Sequence, residues 1–125
     1  MPSCTSYFNA LVIDPVSPTI LYAGTELNGA FKSIDAGENW REINTGLING
    51  LTLHHSVNAL AIDPITSTTI YAGTEEGVFK SIDGGNTWNA VGSSLTKNYI
   101  SALVLDPTTS IIFLGTPHGV FAIQQ

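Results

Sequence analysis

Short apolar runs alternate with turns rich in Gly, Pro, Asn and Asp along the whole chain. In the central third, the runs cover residues 57–62, 69–74, 77–82 and about 87–91. β-Branched and aromatic residues dominate them, as is typical of strands. No long segment shows the 3.6-residue apolar spacing of an amphipathic helix. The pattern therefore predicts an all-β protein built from short strands.

The first strand of this central set is apolar on both of its faces. Side chains alternate along a strand, so Leu60 and Ile62 point to one side and Ala59 and Ala61 to the other. A strand with two apolar faces has to be covered on both sides. We expect the alanine side to permit a close approach and the Leu/Ile side to fill the wider gap.

The same pattern occurs three times in the chain. Residues 9–15 read NALVIDP, residues 58–64 read NALAIDP and residues 101–107 read SALVLDP, which places Asp14, Asp63 and Asp106 at spacings of 49 and 43. A period of roughly 40–50 residues with several short strands per unit predicts the blades of a β-propeller. An antiparallel blade of this kind has four strands.

The outer repeats follow the central one, except at the end of the third. The predicted strands are 8–13, 20–25, 29–34 and 39–43 in the first repeat, and 100–105, 111–116 and 119–123 in the third. The chain then holds about 2.75 blades in one partial propeller, residues 1–125. Its blades cover about 7–45, 57–92 and 100–125, and the third lacks its outer strand.

One turn motif stands out between the third and fourth strands. Residues 81–88 follow S-x-D-x-G-x-T-W, and residues 33–40 repeat it with Asn39 in the Thr place. An Asp carboxylate accepts hydrogen bonds from turn amides, a Gly permits positive φ, and a Trp buries a large ring. The motif residues are Ser33, Asp35, Gly37, Trp40, Ser81, Asp83, Gly85, Thr87 and Trp88.

This motif resembles the Asp box of bacterial neuraminidase-type repeats. Together with the preceding Gly-Val-Phe-Lys and the Tyr-Ala-Gly-Thr strand, it makes nearly the whole chain similar to Asp-box propellers. That group includes sortilin-type domains, photosystem II stability and assembly factors, and xyloglucan-cleaving glycosidases. The resemblance implies that the box is structural and lies on the rim opposite the ligand face. It implies little about activity, because propellers serve many functions.

Charge and composition exclude several classes of function. The net charge is −6 with only four cationic side chains, so neither nucleic acid nor an anionic membrane surface is an expected partner. No apolar run reaches the ~20 residues of a membrane helix. The single Cys4 allows no intrachain disulfide, and the opening residues do not form a signal peptide. Either the protein is cytoplasmic, or the chain is a mature or excised piece of a longer one.

Carboxylates give the main catalytic alternatives. Asp14, Asp63 and Asp106 each precede Pro at a strand end in every repeat, which favours a turn role over catalysis. A glycosidase needs two opposed carboxylates. Glu26, Glu75 and Glu76, in the loops between second and third strands, are candidates, although solvated loop acids are the simpler interpretation. A sialidase needs an arginine cluster, and the chain has only Arg41.

Two further groups of polar residues suggest binding surfaces. The first strands open on Asn9, Asn58 and Ser101, which we expect to line a central channel. Adjacent histidines rarely bind one ion, and no H-x-H or H-x3-H spacing occurs, so neither a metal nor a cofactor is predicted. The candidate ligand face consists of Glu26, Asn28, His54, His55, Glu75, Glu76 and His118.

The leading hypothesis is a non-enzymatic structural or interaction propeller that presents this loop face to a protein or glycan. The alternative is a piece of a carbohydrate-active hydrolase. Three blades leave two apolar end faces, and a ring needs ~4–8 blades. We therefore expect a homo-oligomer, with a dimer of six blades favoured over a trimer of nine.

Overall fold

Three antiparallel sheets make up the structure, a computed structural model that describes residues 7–47, 56–91 and 99–125. Each sheet is a simple meander with its strands in chain order. We call the sheets the first, second and third blade. Their strands are β1 (Phe8–Ile13), β2 (Leu21–Thr25), β3 (Ala30–Ser33) and β4 (Arg41–Glu42); β5 (Val57–Ile62), β6 (Ile70–Thr74), β7 (Gly77–Ser81) and β8 (Asn89–Ala90); and β9 (Ala102–Asp106), β10 (Ile111–Thr116) and β11 (Gly119–Gln124).

The predicted fold class is confirmed: the blades have four, four and three strands, and none of the described residues is helical. It follows that this part of the chain holds no helix able to cross a membrane. The predicted bounds of β1, β5 and β10 match the structure. β9 begins two residues later than predicted and runs through Asp106.

The outer strands β4 and β8 are shorter than predicted, with two residues each. The backbone N–H of Thr87 donates to the Asp83 carboxylate, and that of Trp88 donates to the Thr45 carbonyl of the first blade. These amides are therefore not free to pair with β7. Backbone pairing continues beyond the strand, since the Val91 N–H donates to the Val78 carbonyl.

The core lies between blades, not within one. We call the side of a blade that packs on the preceding blade its front face, and the opposite side its back face. Tyr22 and Ala30 on the back of the first blade share one buried cluster with Leu60, Ile70 and the other front-face residues of the second. A second cluster joins the backs of β5–β7 to the fronts of β9 and β10, and includes Tyr71, Val78, Ile100, Leu103, Ile112 and Leu114.

The two faces of β5 take part in different clusters, as its alternating pattern predicts. Leu60 and Ile62 pack toward the first blade, whereas Ala59 and Ala61 pack toward the third. Burial at the interior of both clusters is nearly complete: Ile70, Ile100 and Ile112 have no exposed surface. Burial of apolar side chains between blades is thus the main stabilising contribution in this fold.

Glycines in the second strand of each blade allow the next blade to approach. A Cβ on Gly24 would lie 2.6 Å from Cγ1 of Val57, and a Cβ on Gly73 would lie 2.6 Å from Cγ2 of Ile100. For a Cβ on Gly115 in the third blade, none of the three nearest atoms belongs to another of the described blades. A residue at or just before the first strand of the following blade therefore sits directly on Gly24 and on Gly73.

Candidate functional site

The turns after β3 and β7 are held by one short network of hydrogen bonds, which occurs in both. The Asp83 carboxylate accepts from the Ser81 hydroxyl at 2.8 Å, the Thr87 amide at 2.9 Å and the Thr87 hydroxyl at 2.6 Å. The Ser81 hydroxyl in turn accepts from the Gly85 amide at 2.8 Å. The chain bends through two successive left-handed residues, Gly84 and Gly85, with φ of 68° and 89°.

The first turn has the same network with one substitution. Asp35 accepts from the Asn39 amide and from the Asn39 side chain, both at 2.8 Å, so Asn39 takes the place of the Thr. These donors hold the pKa of Asp35 at about 2, with the Asn39 backbone amide contributing most. The Thr87 hydroxyl is the main cause of the same lowering of the Asp83 pKa to about 2. Both carboxylates are therefore occupied as acceptors within their own turns.

The second turn also docks on the back of the first blade. The Gly84 carbonyl accepts from the Lys32 ammonium at 2.9 Å and from the Tyr22 hydroxyl at 3.3 Å. Burial, with a smaller contribution from the Asp14 charge, raises the pKa of Tyr22 to about 12. Burial likewise lowers the pKa of Lys32, whose ammonium lies 5.3 Å from the centre of the Tyr22 ring. The turn is thus part of the contact between blades.

The two tryptophans of these turns differ in environment. Trp88 is buried, and its indole N–H donates to the Ile43 carbonyl of the first blade at 2.7 Å. Trp40 is only half-buried, and its indole donates to Gly37 within its own turn at 2.9 Å. The expectation that each motif Trp is a buried ring is correct for Trp88 and wrong for Trp40. The reason is that the front of the first blade has no described blade against it.

The repeated Asp-Pro carboxylates close the turns after β1, β5 and β9. Asp14 accepts from the Val16 and Ser17 amides at 2.8 and 3.2 Å, and Asp63 makes equivalent bonds at 2.9 and 3.2 Å. Asp106 accepts from the hydroxyl and amide of Thr108 at 2.7 and 3.0 Å. The Thr108 hydroxyl is the main cause of the lowered pKa of Asp106. All three side chains serve as turn acceptors in the structure.

A polar groove crosses all three blades at the start of their first strands. It has a volume of about 310 Å³ and is lined by Asn9, Glu26, Ser56, Asn58, Tyr99 and Ser101. The structure therefore brings Asn9, Asn58 and Ser101 together, along with one of the predicted acids, Glu26. It also places the exposed ring of Tyr99 beside these amides and hydroxyls.

Hydrogen bonds along this groove run from one blade to the next. The Asn58 amide donates to the Ile100 carbonyl of the third blade at 2.9 Å. The Asn9 amide lies 3.5 Å from the equivalent Val57 carbonyl, and also 3.5 Å from Oδ1 of Asn58. Ser101, in the third blade, donates instead to the Gly115 carbonyl of its own sheet at 3.2 Å. We call the repeated contact from Asn9 or Asn58 to a backbone carbonyl of the next blade the inter-blade bond.

The other predicted ligand-face residues do not converge on the groove. Glu75 and Glu76 line a separate small depression that shares only Ser56 with the groove, and the Glu75 carboxylate lies 3.4 Å from the Ser56 amide. Asn28 and His118 lie in the equivalent turns of the first and third blades, where their amides donate to Thr25 and Thr116. His54 and His55 lie outside the described residues. Among residues 7–47, 56–91 and 99–125, no three His, Cys, Asp or Glu side chains cluster closely enough to hold a metal ion.

Two groove residues were not predicted from the sequence. Ser56 and Tyr99 each lie two positions before the residue that opens the inter-blade row, Asn58 or Ser101. Because side chains two apart point to the same side of an extended chain, the repeat alignment carried the signal that these positions share a surface. Tyr7 is their equivalent in the first blade.

Comparison with known proteins supports the fold. No protein-family model matches the chain, and no curated protein matches it. Solved structures do match. A GH74 xyloglucanase from Xanthomonas campestris is 17% identical with a TM-score of 0.71, over 85% of this chain and 18% of that chain. An ancestral GH74 enzyme is 27% identical with a TM-score of 0.74, over 93% of this chain and 14% of the enzyme.

YCF48 from Cyanidioschyzon merolae is also similar, with 14% identity and a TM-score of 0.75, over 98% of this chain and 38% of YCF48. These neighbours are β-propellers, and the likeness supports a propeller fold for this chain. The chain spans well under half the length of each. The neighbours include both glycoside hydrolases and YCF48, so their names do not decide the activity of this chain.

Proposed function

We propose that this chain is a non-enzymatic, self-assembling propeller module that presents its groove face to a protein or a glycan. The observation that carries the proposal is the groove itself. Its lining offers amides, hydroxyls and an exposed Tyr ring, which suit a neutral polar ligand with one flat apolar face. Within the described part of the chain, Glu26 is the one carboxylate in that lining.

The turns after β3 and β7 act in this proposal as Asp boxes with a structural role. Their carboxylates are satisfied by donors of their own turn, and the second turn contacts the first blade. A carboxylate that already accepts from an amide and two hydroxyls has little free capacity for a ligand. The box residues therefore stabilise the blades, while the groove provides the binding surface.

Binding without hydrolysis would support this function. The test applies the chain to a glycan array and to a library of extended peptides, with the Asn58→Ala variant as the probe of the groove. Asn86→Ala, an exposed amide at the turn after β7, is the matched control. We expect at least one glycan or peptide that binds the wild-type chain and the Asn86→Ala variant but does not bind the Asn58→Ala variant. Two results would contradict a role for the groove: binding that the Asn58→Ala variant retains, and no binding of the wild-type chain to any member of either library.

The second candidate function is part of a glycoside hydrolase, which the likeness to two GH74 enzymes favours. Glu26 would be one catalytic carboxylate, with the opposed group supplied from outside the groove. The decisive measurement is the release of reducing ends from xyloglucan and other β-glucans. Release that Glu26→Gln abolishes would establish the enzyme and overturn the non-enzymatic proposal.

A further inference from the structure

The front of the first blade and the back of the third blade are the two end faces of the described structure, and both are apolar. On the front end face, Leu11 is 64% exposed and Phe8 46% exposed. On the back end face, Val104 is 61% exposed and Val120 75% exposed. Apolar patches of this kind on a folded protein mark interaction sites.

The repeat shows what each end face is built to contact. Leu11 corresponds to Leu60 and Leu103, which are buried against the blade before them. On the opposite end face, Val120 corresponds to Ala30 and Val78, both almost fully buried against the blade after them. The front end face is therefore equivalent to the front faces of the second and third blades, which pack against the back of the preceding blade. The back end face is equivalent to the back faces of the first and second blades, which pack against the front of the following blade.

We propose that the two end faces bind each other between copies, so that the front of the first blade of one chain packs on the back of the third blade of another. This deepens the self-assembly in the proposed function by naming the two surfaces and their pairing. Two copies related by a two-fold axis would make both contacts at once. The result is a closed ring of six blades, within the ~4–8 of known propellers.

The glycine contact gives this pairing its register. Val57 packs on Gly24 and Ile100 packs on Gly73 within the chain, and the next pair in this series is Phe8 on Gly115. None of the three atoms nearest to a Cβ on Gly115 belongs to another of the described blades, and Phe8 is half-exposed. Both halves of the contact are therefore present, one at each end face.

The same pairing would complete the polar groove. The inter-blade bonds run from Asn9 toward the Val57 carbonyl and from Asn58 to the Ile100 carbonyl. The next side chain in this series is Ser101, which donates to Gly115 of its own sheet within one chain and would face the Phe8 carbonyl of the other copy in the pair. The partner would thereby extend the groove beyond Ser101 with its own Asn9, so that each binding surface is shared by two chains.

One part of the contact between blades would not be reproduced. Trp88 donates to the Ile43 carbonyl, which follows β4 in the first blade. Among the described residues, the third blade has the three strands β9–β11, and none of them supplies Trp40 with a carbonyl equivalent to that of Ile43. The proposed contact therefore rests on the inner three strands of each blade, and Trp40 lies at its outer margin.

A charge-pair exchange tests the pairing. Leu11→Asp and Val104→Lys each place a charge in one exposed end face, so each variant alone should fold but run as a monomer of 13.2 kDa by light scattering. Mixing the two restores one unaltered contact and creates one Asp–Lys contact, so the mixture should recover the dimer mass. Ile82→Asp is the matched control. Ile82 belongs to the second blade, which has the third blade packed after it, and its side chain is nevertheless 69% exposed. This control should keep the dimer mass.

Three outcomes would overturn the proposal: a monomeric wild-type chain, dimers that persist in both variants, or a mixture that stays monomeric. A wild-type mass of three chains would replace the six-bladed ring with one of nine. Circular dichroism of each variant separates lost association from lost folding. Failure here leaves the groove-binding experiment unaffected, and a chain that dimerises as expected but binds no ligand would contradict only the binding function.

Discussion

Trp40 and Trp88 close the same turn motif in two successive blades, yet only one is part of the core. Their turns share the Ser–Asp network and the pair of left-handed residues. Trp88 is buried against the first blade and bonds to its backbone, whereas Trp40 has no described blade before it and stays half-buried. The motif thus specifies the turn, and the neighbouring blade determines what the turn contributes to stability.

The largest expected difference comes from removing each ring. Trp88→Ala should lower the free energy of unfolding by about 3–5 kcal/mol, since it removes a buried aromatic side chain and leaves a cavity between blades. Trp40→Ala, the matched control, should cost much less because its ring is already half in solvent. Urea unfolding followed by circular dichroism measures both. Equal losses would mean that Trp40 is buried in solution by a contact that extends beyond the inner three strands of each blade.

A second contrast concerns the glycines. Gly73→Ala places a methyl group 2.6 Å from Cγ2 of Ile100, so we expect a loss of about 1–3 kcal/mol from overpacking. Gly115→Ala should cost less, because its nearest side-chain atom, Cβ of Ala102, is 3.2 Å away and in the same blade. Both are compared in urea on the Val104→Lys background, which removes the proposed self-association. Similar losses at the two positions would contradict the idea that blade contact makes Gly73 necessary.

These contrasts also show how far the sequence could predict the structure. The three-fold repeat and the alternation of Leu60 and Ala61 determine blade number and both faces of β5, because they are local patterns with a fixed period. The shortness of β8 was not predictable in the same way. It depends on where the Trp88 amide bonds, and its acceptor, Thr45, lies in another blade.

In the candidate site, too, some features followed from the local sequence pattern and others depended on packing between blades. The positions of Asn9, Asn58 and Ser101 followed from the repeat, and the structure places them in one groove. The separation of Glu26 from Glu75 and Glu76 did not follow, because equivalent turns of successive blades are displaced from one another by the packing of whole sheets. A linear sequence gives no measure of that displacement.

A smaller effect should appear with pH. The pKa values of Asp35 and Asp83 are lowered from 3.8 to about 2 in the folded chain. Each ionised carboxylate therefore contributes stability that is fully present above pH ~4 and is lost as the pH falls toward ~2. Replacing Asp83 with Asn should flatten the fall of the unfolding free energy across that window, and Asp35→Asn should do so to a similar degree. An unchanged slope in both variants would mean that the turn donors do not favour the ionised form.

The smallest expected effect lies in local opening and involves no change in global stability. Among the described strands, β7 is paired on both sides, by β6 and β8, whereas β11 is paired on one side, by β10. An edge strand has amides with no strand partner, and those amides exchange with solvent more readily. We expect faster hydrogen exchange in residues 119–123 than in residues 77–82, measured by NMR or mass spectrometry. The Val104→Lys variant, which removes the proposed self-association, is the control. Exchange in residues 119–123 should be at least as fast in this variant as in the wild-type chain. Equal protection of the two strands in the wild-type chain, lost in Val104→Lys, would show that another copy covers β11 as well as the back end face.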